Sequence, residues 1–463
     1  MTVNNETVTN ALEEVNVLVE NGLKALDEFL KIKDQDKVDA IVEAAIAAAL
    51  EAKDTLAEHA IEETQRGVLE DKAIKNFLAA DAVGGSLRGV KTVGVIERDE
   101  ARGIVSVADP VGVICGIVPV TNPTSTAIFK SIISLKSRNP IIFSFHPSAA
   151  ECSKAAARVV RDAAIKAGAP ENCIQFIEQP TLEGTDALMK HDGVALILAT
   201  GGSGLVRAAY SCGKPALGVG PGNVPAYVHK AAKIEQAVED IVLSKSFDNG
   251  VICASEQAAI VDQEIYDEFI EVLKSDKVYL VNAEEKVLLE KLLFGTEANS
   301  ESCSGAKLNG AIVGQDATKI AKLAGFEVPE TTRVLAAECS TVGLNEPLTR
   351  EKLSPVLAVV KASDVKDGFS KASKMVELAG LGHTATVHTE DEEVALEFGE
   401  LIKACRVVWN APAVHGAIGA IYTDMLPSFT LGCGSYGRNS FAGNVSAVNL
   451  INIKKIAKRK AGV

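Results

Sequence analysis

GVICGIVPVTNPTSTAIFKSIISLKSRNPIIFS, residues 112–144, contains one complete strand, helix and strand. Val111, Val113, Ile114, Ile117 and Val118 form a β-branched run that predicts a strand over 111–120. Asn122 has the side chain of a helix cap, and Pro123 suits the first helical position, so a helix is expected over 123–136. A second apolar run over 140–145 supplies the next strand. A strand, a covering helix and a second strand in this order form the repeating unit of a parallel sheet.

The same rhythm continues downstream. Strands are expected at 173–178, 194–199 and 224–229, and helices at 148–167, 181–190, 203–212 and 231–246. The helix at 148–167 stops at Gly168, with Pro170 beyond it. A second alternating series follows, with strands at 251–261, 276–282, 310–314, 333–336, 356–360, 385–388 and 406–409. Upstream, Leu12, Val15, Val19, Leu23, Leu26 and Leu30 recur at helix spacing, and Val38 to Thr64 is Ala-rich and proline-free. Strand texture begins at Ala101. The expected organisation is a first α/β domain over 1–245 with a β extension near 100–108, a second over 246–431, and a C-terminal segment over 432–463. Val448, Leu450, Ile451 and Ile453 read as a terminal edge strand, either an oligomer contact or the closing strand of a sheet.

Composition narrows the function classes. With 463 residues, 47% hydrophobic, the chain can bury more than one core, and a 5% aromatic content suits helices packed on parallel strands. A net charge of −14 repels phosphate backbones and anionic membranes, so neither nucleic acid nor membrane is an expected partner. The basic cluster Lys454, Lys455, Lys458, Arg459 and Lys460 is read as a solvated tail. MTVNNETVTNALEEV has neither a basic n-region nor an apolar h-region. Nine cysteines without CxxC pairs or zinc-spaced histidines argue against a disulfide framework and a metal site, and the expected compartment is the reducing cytoplasm.

Two segments carry chemistry. In Leu196-Ile-Leu-Ala-Thr-Gly-Gly-Ser-Gly-Leu205 a buried strand runs into glycines and then a helix, a place where backbone N–H groups meet phosphate. It is not a GxGxxG fingerprint, because Arg207 stands where the third glycine belongs. In Phe247-Asp-Asn-Gly-Val-Ile-Cys-Ala-Ser-Glu256 a cysteine sits between a turn and a polar pair, where a thiol can be partly exposed and electrostatically activated. Cys212, Cys405 and Cys433 lack that context and read as packing residues.

Residues 112–144, LILATGGSGLVRAAYSCGKPALGVGPGN (196–223), FDNGVICASEQ (247–257), EKLSPVLA (351–358), GLGHTA (380–385) and SFTLGCGSYGRNS (428–440) resemble the aldehyde dehydrogenase superfamily, and most closely its CoA-acylating acetaldehyde dehydrogenases, including the aldehyde dehydrogenase half of bifunctional aldehyde-alcohol dehydrogenases. The resemblance covers nearly the whole chain, from Glu70-Asp71-Lys72 to Leu450-Ile-Asn. It implies the aldehyde dehydrogenase fold: a Rossmann-like cofactor domain, an α/β catalytic domain and a small β oligomerisation extension. The implied reaction is acetaldehyde + CoA + NAD⁺ = acetyl-CoA + NADH, used in fermentation.

On matching positions the resemblance implies Cys253 as nucleophile, Asn122 as oxyanion donor with the Cys253 backbone N–H, and His383 as a histidine that tunes the thiolate. Ile117, Val118, Pro119, Val120, Thr121, Asn122, Gly202 and Gly220 match the turns lining the dinucleotide. Glu351 matches the glutamate holding the nicotinamide ribose, and Leu431 borders nicotinamide and substrate. His146 replaces a lysine near the adenosine ribose, which weighs against strong NADP preference. Hydrolytic relatives carry a glutamate that activates water, whereas the matching position here is Gly218 or Val219. The cofactor is therefore NAD, the co-substrate is CoA, and the partners are a small aldehyde and a CoA thioester. The resemblance also implies a homodimer or higher homo-oligomer, with an alcohol dehydrogenase domain in a longer parent chain as one setting. Succinate semialdehyde and propionaldehyde are the rival substrates; a carboxylate would want an arginine, and Arg406 and Arg438 are available. His415 is a candidate for tuning the substrate pocket. A reading of another class is a filament-forming structural module.

Overall fold

The computed structural model describes residues 5–460. Its backbone forms three sheets. The smaller parallel sheet runs, in spatial order, Ile174–Phe176, Ile141–Phe145, Val113–Val118, Val194–Thr200 and Ala216–Val219. The chain starts in the middle, winds to one edge, then crosses to the other side, so the order reverses beside Val113–Val118. Val113–Val118 and Ile141–Phe145 are buried at every position, which explains why both read as continuous apolar runs. The helix expected at 123–136 spans Pro123–Lys136, and the next, Ala150–Lys166, packs beside it. The N-terminal helices Gln35–Glu51 and Lys53–Thr64 lie over these two as an outer layer.

The larger sheet has seven parallel strands in the order Val278–Leu280, Val334–Cys339, Val356–Ala362, Glu256–Asp262, Val224–Val228, Gly382–His388 and Ala404–Trp409. The strand Val224–Val228 and the helix Ile234–Ser246 belong with this sheet, although the sequence boundary at 245/246 left them in the first domain. The crossover falls at Gly220–Asn223, because a parallel strand joins whichever sheet buries both its faces. The segment 310–314, expected as a strand, is a single helical turn at Gly310–Ile312 with Gly314 at φ 72°. Residues 251–255, expected to open a strand, form a turn, and the strand begins only at Glu256.

The third sheet is antiparallel and joins Gly94–Asp99, Ile104–Pro110 and Ile451–Ala457. The terminal strand therefore pairs within its own chain, Ile451 opposite Pro110 and Ala457 opposite Ile104. Lys454 and Lys455 of the basic cluster are tied to Asp109 and Ser106. Among the described residues no helix is long and apolar enough to cross a membrane.

Asn139 joins this C-terminal segment to the smaller sheet. Fully buried, it accepts from the Gly112 N–H at 2.9 Å and donates to Leu450 O at 2.8 Å and to Ser137 Oγ at 2.7 Å. Asn139→Ala leaves buried backbone groups unpaired at about 1–3 kcal/mol each. A stability loss of about 2–4 kcal/mol in urea denaturation is the expected outcome, and a midpoint equal to that of the parent would remove Asn139 from this role.

Candidate active site

A cleft of about 760 Å³ opens where the carboxyl ends of the smaller sheet face the amino ends of the larger one. From the smaller sheet come Ile117 to Asn122 at the end of one central strand, Thr200 to Gly202 at the end of the other, and Val219 to Pro221. This is the point where the strand order reverses, the usual ligand crevice of a doubly wound sheet. From the larger sheet come Cys253, three residues ahead of Glu256–Asp262 in sequence, and Glu351, ahead of Val356–Ala362. The volume lies in the range of small-molecule sites.

Cys253 is partly exposed in this cleft, and its sulfur lies 3.1 Å from His383 Nε2. His383, fully buried at the start of Gly382–His388, also contacts Thr384 Oγ1 through Nδ1 at 3.0 Å. With the proton on Nδ1 donated to Thr384, Nε2 is left as an acceptor facing the thiol. Burial pushes the Cys253 thiol up to about 12, helped by the nearby Glu351 carboxylate and Cys433 and opposed by Arg406. Burial, with Arg406, pushes His383 down to about 3. The resting pair is therefore thiol and neutral imidazole, not the ionised thiolate expected from the turn context, because desolvation outweighs every favourable charge nearby.

Arg406, buried in Ala404–Trp409, spends its guanidinium on this arrangement. It donates to His383 O at 2.6 Å, Gly432 O at 2.8 Å and Gly382 O at 3.2 Å, locking the strand that carries His383. It is thereby occupied as a reader of carboxylate substrates. Arg438 lines a separate cleft of about 580 Å³, together with Arg207, Tyr210 and Tyr436.

Asn122 stands at the cap position of Pro123–Lys136, yet its side chain makes no capping bond. Its Oδ1 accepts from Lys75 Nζ at 2.7 Å, and its Nδ2 donates to Thr121 Oγ1 at 3.2 Å. Lys75 is buried on the helix Leu69–Phe77 and pairs with Asp248, as does Lys72 at 3.2 Å. Burial lowers the Lys75 ammonium to about 8 against the opposing pull of Asp248. Asp248 and Asn249 are both left-handed, at φ 48° and 54°. Asp248 Oδ1 accepts from the Val68 N–H, the Asp248 N–H donates to Asp71, and Asn249 Nδ2 donates to Gly67 O and Gly314 O.

Glu351 Oε1 accepts from the Gly222 N–H at 2.9 Å, and burial raises its carboxyl to about 7. Gly218 and Val219, the two candidates for the hydrolytic glutamate's position, have different surroundings. Val219 lines the cleft with Cys253, whereas the Gly218 N–H donates to Tyr210 OH at 2.8 Å. Gly202 caps the helix Ser203–Ser211, and side chains built at Gly202 and Gly220 would meet nothing within 4 Å. Open glycines at a helix N-terminus fit a dinucleotide's diphosphate. His146 sits exposed at the rim, its imidazole lowered by burial and by Arg66, and its Nδ1 accepts from the Ser148 N–H. Leu431 is buried in the apolar layer against which Cys253 packs and does not line the cleft. His415 is buried against Phe247 and Tyr422, also away from the cleft lining.

Sequence reasoning missed Lys75, Lys72, Asp248, Arg66 and the clamp by Arg406. The available signal was slight: two lysines three residues apart on one helix face, beside Asp71.

The aldehyde dehydrogenase family profile matches residues 6–291. An aldehyde-alcohol dehydrogenase of Streptococcus pneumoniae is 64% identical over 89% of this chain and 47% of its own length, so the chain spans about half of that relative. The succinate-semialdehyde dehydrogenase (acetylating) of Clostridium kluyveri is 36% identical over 96% of this chain and 95% of its own. Among solved structures, an acetylating aldehyde dehydrogenase from Geobacillus thermoglucosidasius superposes with a TM-score of 0.94 at 44% identity, covering 99% of both chains.

The geometry has two measurable consequences. Alkylation of the Cys253 peptide by iodoacetamide should climb about tenfold per pH unit from pH 7 to 10, as the thiolate fraction of a high-pKa thiol does; a plateau near pH 7 contradicts the neutral pair. A Cβ on Gly222 would sit 1.9 Å from Cys253 O. Gly222→Ala is therefore expected to displace the cysteine and cut turnover about 10²-fold, the scale of an ångström-level misplacement. Unchanged turnover would mean that the loop gives way freely.

Proposed function

The chain belongs to the aldehyde dehydrogenase family, and from that membership we propose that it is a CoA-acylating acetaldehyde dehydrogenase that uses NAD and carries the acyl group on Cys253. The observation that carries this reading is the pairing of Cys253 with His383 in a cleft where neither Gly218 nor Val219, the two candidates for the hydrolytic glutamate's position, can take a proton.

Cys253 Sγ adds to the aldehyde carbon as its proton passes to His383 Nε2. The carbonyl oxygen takes the negative charge, and the Asn122 amide and the Cys253 backbone N–H stabilise it. A bound nicotinamide ring supplies the hydride acceptor. Collapse of the alkoxide leaves a thioester on Cys253, and His383, a weak base in this setting, releases its proton towards solvent. CoA thiol then attacks the thioester, the same donors hold the second oxyanion, and Cys253 leaves and regains a proton. With no carboxylate at Gly218 or Val219, water lacks the base that hydrolytic relatives use, and the thioester waits for a thiol. Glu351, tied to the Gly222 N–H, has its second oxygen free to hold a ribose hydroxyl, and Gly202 with the helix behind it would take the diphosphate.

Nicotinamide dinucleotide and CoA both follow from membership in the acylating branch; the preference for NAD over NADP rests on His146 in place of a lysine. The name of the Streptococcus relative joins aldehyde to alcohol dehydrogenase, and only the aldehyde half is carried over to this chain. Free cysteines throughout support a reducing cytoplasm, and the exposed Ile453 and Ile456 on the edge strand Ile451–Ala457 support a homo-oligomer. Succinate semialdehyde remains a second substrate because of the Clostridium relative, although Arg406 is spent on backbone carbonyls. The filament-module reading draws no support from the cleft.

NADH formation from acetaldehyde and CoA, followed at 340 nm with propionaldehyde and succinate semialdehyde alongside, tests the proposal. Cys253→Ala should abolish turnover, and retained activity would sink it. Gly218→Glu or Val219→Glu is expected to raise acetate release in the absence of CoA, and an unchanged ratio of acetate to acetyl-CoA in both variants would count against this reading of the strand.

A further inference from the structure

We propose that Lys75 is a positioning residue for the oxyanion-binding amide: its ammonium, anchored by Asp248, holds Asn122 Oδ1 and so fixes Nδ2 as the end that donates into the cleft. This rests on the reading of Cys253 and Asn122 given above.

An asparagine amide can turn over by exchanging its oxygen and nitrogen, and only one of the two orientations serves an oxyanion. Lys75 removes the choice. Its Nζ lies 2.7 Å from Asn122 Oδ1, and the reversed amide would set an N–H against an ammonium, donor against donor. Nδ2 has two hydrogens; Thr121 Oγ1 takes one at 3.2 Å, which leaves the other for the cleft that Asn122 and Cys253 both line. Withdrawal of electron density at Oδ1 by a cation also makes the Nδ2 hydrogen a stronger donor. Lys75 itself is only 2% exposed, with Asp248 as its counter-ion and Thr121 O at 3.4 Å as a further acceptor. The groups facing it from the packed elements are Asp71 and Lys72 on its own helix and Asp248 on the turn.

Asp248 gives the contact its second meaning. It belongs to the turn five residues ahead of Cys253, whereas Asn122 follows the central strand of the smaller sheet. One ammonium thus touches both halves of the oxyanion site, the amide from one sheet and the turn that leads to the sulfur from the other. A lysine in a purely structural ion pair would need only Asp248; this one bridges to a neutral amide whose orientation matters to the reaction.

A double-mutant cycle with Lys75→Met and Asn122→Ala tests the proposal in the full chain, with acetaldehyde, CoA and NAD as reactants. Lys75→Met should lower kcat/KM about 10- to 100-fold, somewhat less than the loss of an oxyanion donor itself. In the Asn122→Ala background it should cost about twofold or less. Alkylation of Cys253 by iodoacetamide, which needs no oxyanion donor, should stay within about twofold of the parent in Lys75→Met, a readout that collapse of the turn would move. Equal losses in both backgrounds, or alkylation falling in step with kcat/KM, would overturn the role of Lys75 while leaving Asn122 in place. Unimpaired Asn122→Ala would overturn this inference together with the oxyanion reading it rests on. Should Lys75→Met fail to fold, Lys75→Gln, one bond shorter but able to hydrogen-bond Asp248, carries the same cycle with the same expected and opposing results.

Discussion

The turn at Asp248 and Asn249 is the constraint on which the site depends. Two consecutive non-glycine residues in the left-handed region cost on the order of 1–2 kcal/mol each, so an isolated chain would not hold them there. Here the cost is offset from outside the turn. Asp248 is bonded to the Val68 N–H, to Lys72 and to Lys75, its own N–H is taken by Asp71, and Asn249 is bonded to the carbonyls of Gly67 and Gly314. The helix Leu69–Phe77 and the two residues just ahead of it supply every one of these partners except Gly314. They act as the mould in which the cysteine segment sets.

With the turn fixed, the rest of the site follows from the meeting of two sheet edges. Parallel sheets present unpaired backbone groups at their ends, and in the smaller sheet the carboxyl ends flank the reversal of strand order, where glycines leave room for a dinucleotide. The larger sheet contributes from its amino ends instead, so its loops approach from the opposite side and bring Cys253, His383 and Glu351 to the same space. Such an arrangement also explains the electrostatics. Protein closes over the sulfur from both sheets, and burial raises the thiol and lowers the imidazole, so the pair rests neutral.

One wall of the cleft beside Cys253 is apolar. Val219 lines the cleft with Cys253, while the neighbouring Gly218 is turned to Tyr210, a consequence of the alternation of a strand.

Much of this was legible in the chain itself. The apolar runs at Val113–Val118 and Ile141–Phe145, with Pro123 between them, determined a strand, helix and strand because local backbone preference and burial agree there. The candidate residues Cys253, Asn122, His383 and Glu351 were likewise identifiable from their neighbours in sequence. Their mutual geometry was not. Residue 383 lies 130 positions from Cys253, and Lys75 lies 173 from Asp248; no local pattern encodes contacts at that range. Tertiary structure alone decided that strand Val224–Val228 joins the second sheet, that Gly310–Ile312 is a turn, that Asn122 does not cap its helix, and that Arg406 is consumed by carbonyls. In each case the reason is the same: a side chain or strand spends its hydrogen bonds on partners that only packing brings within reach.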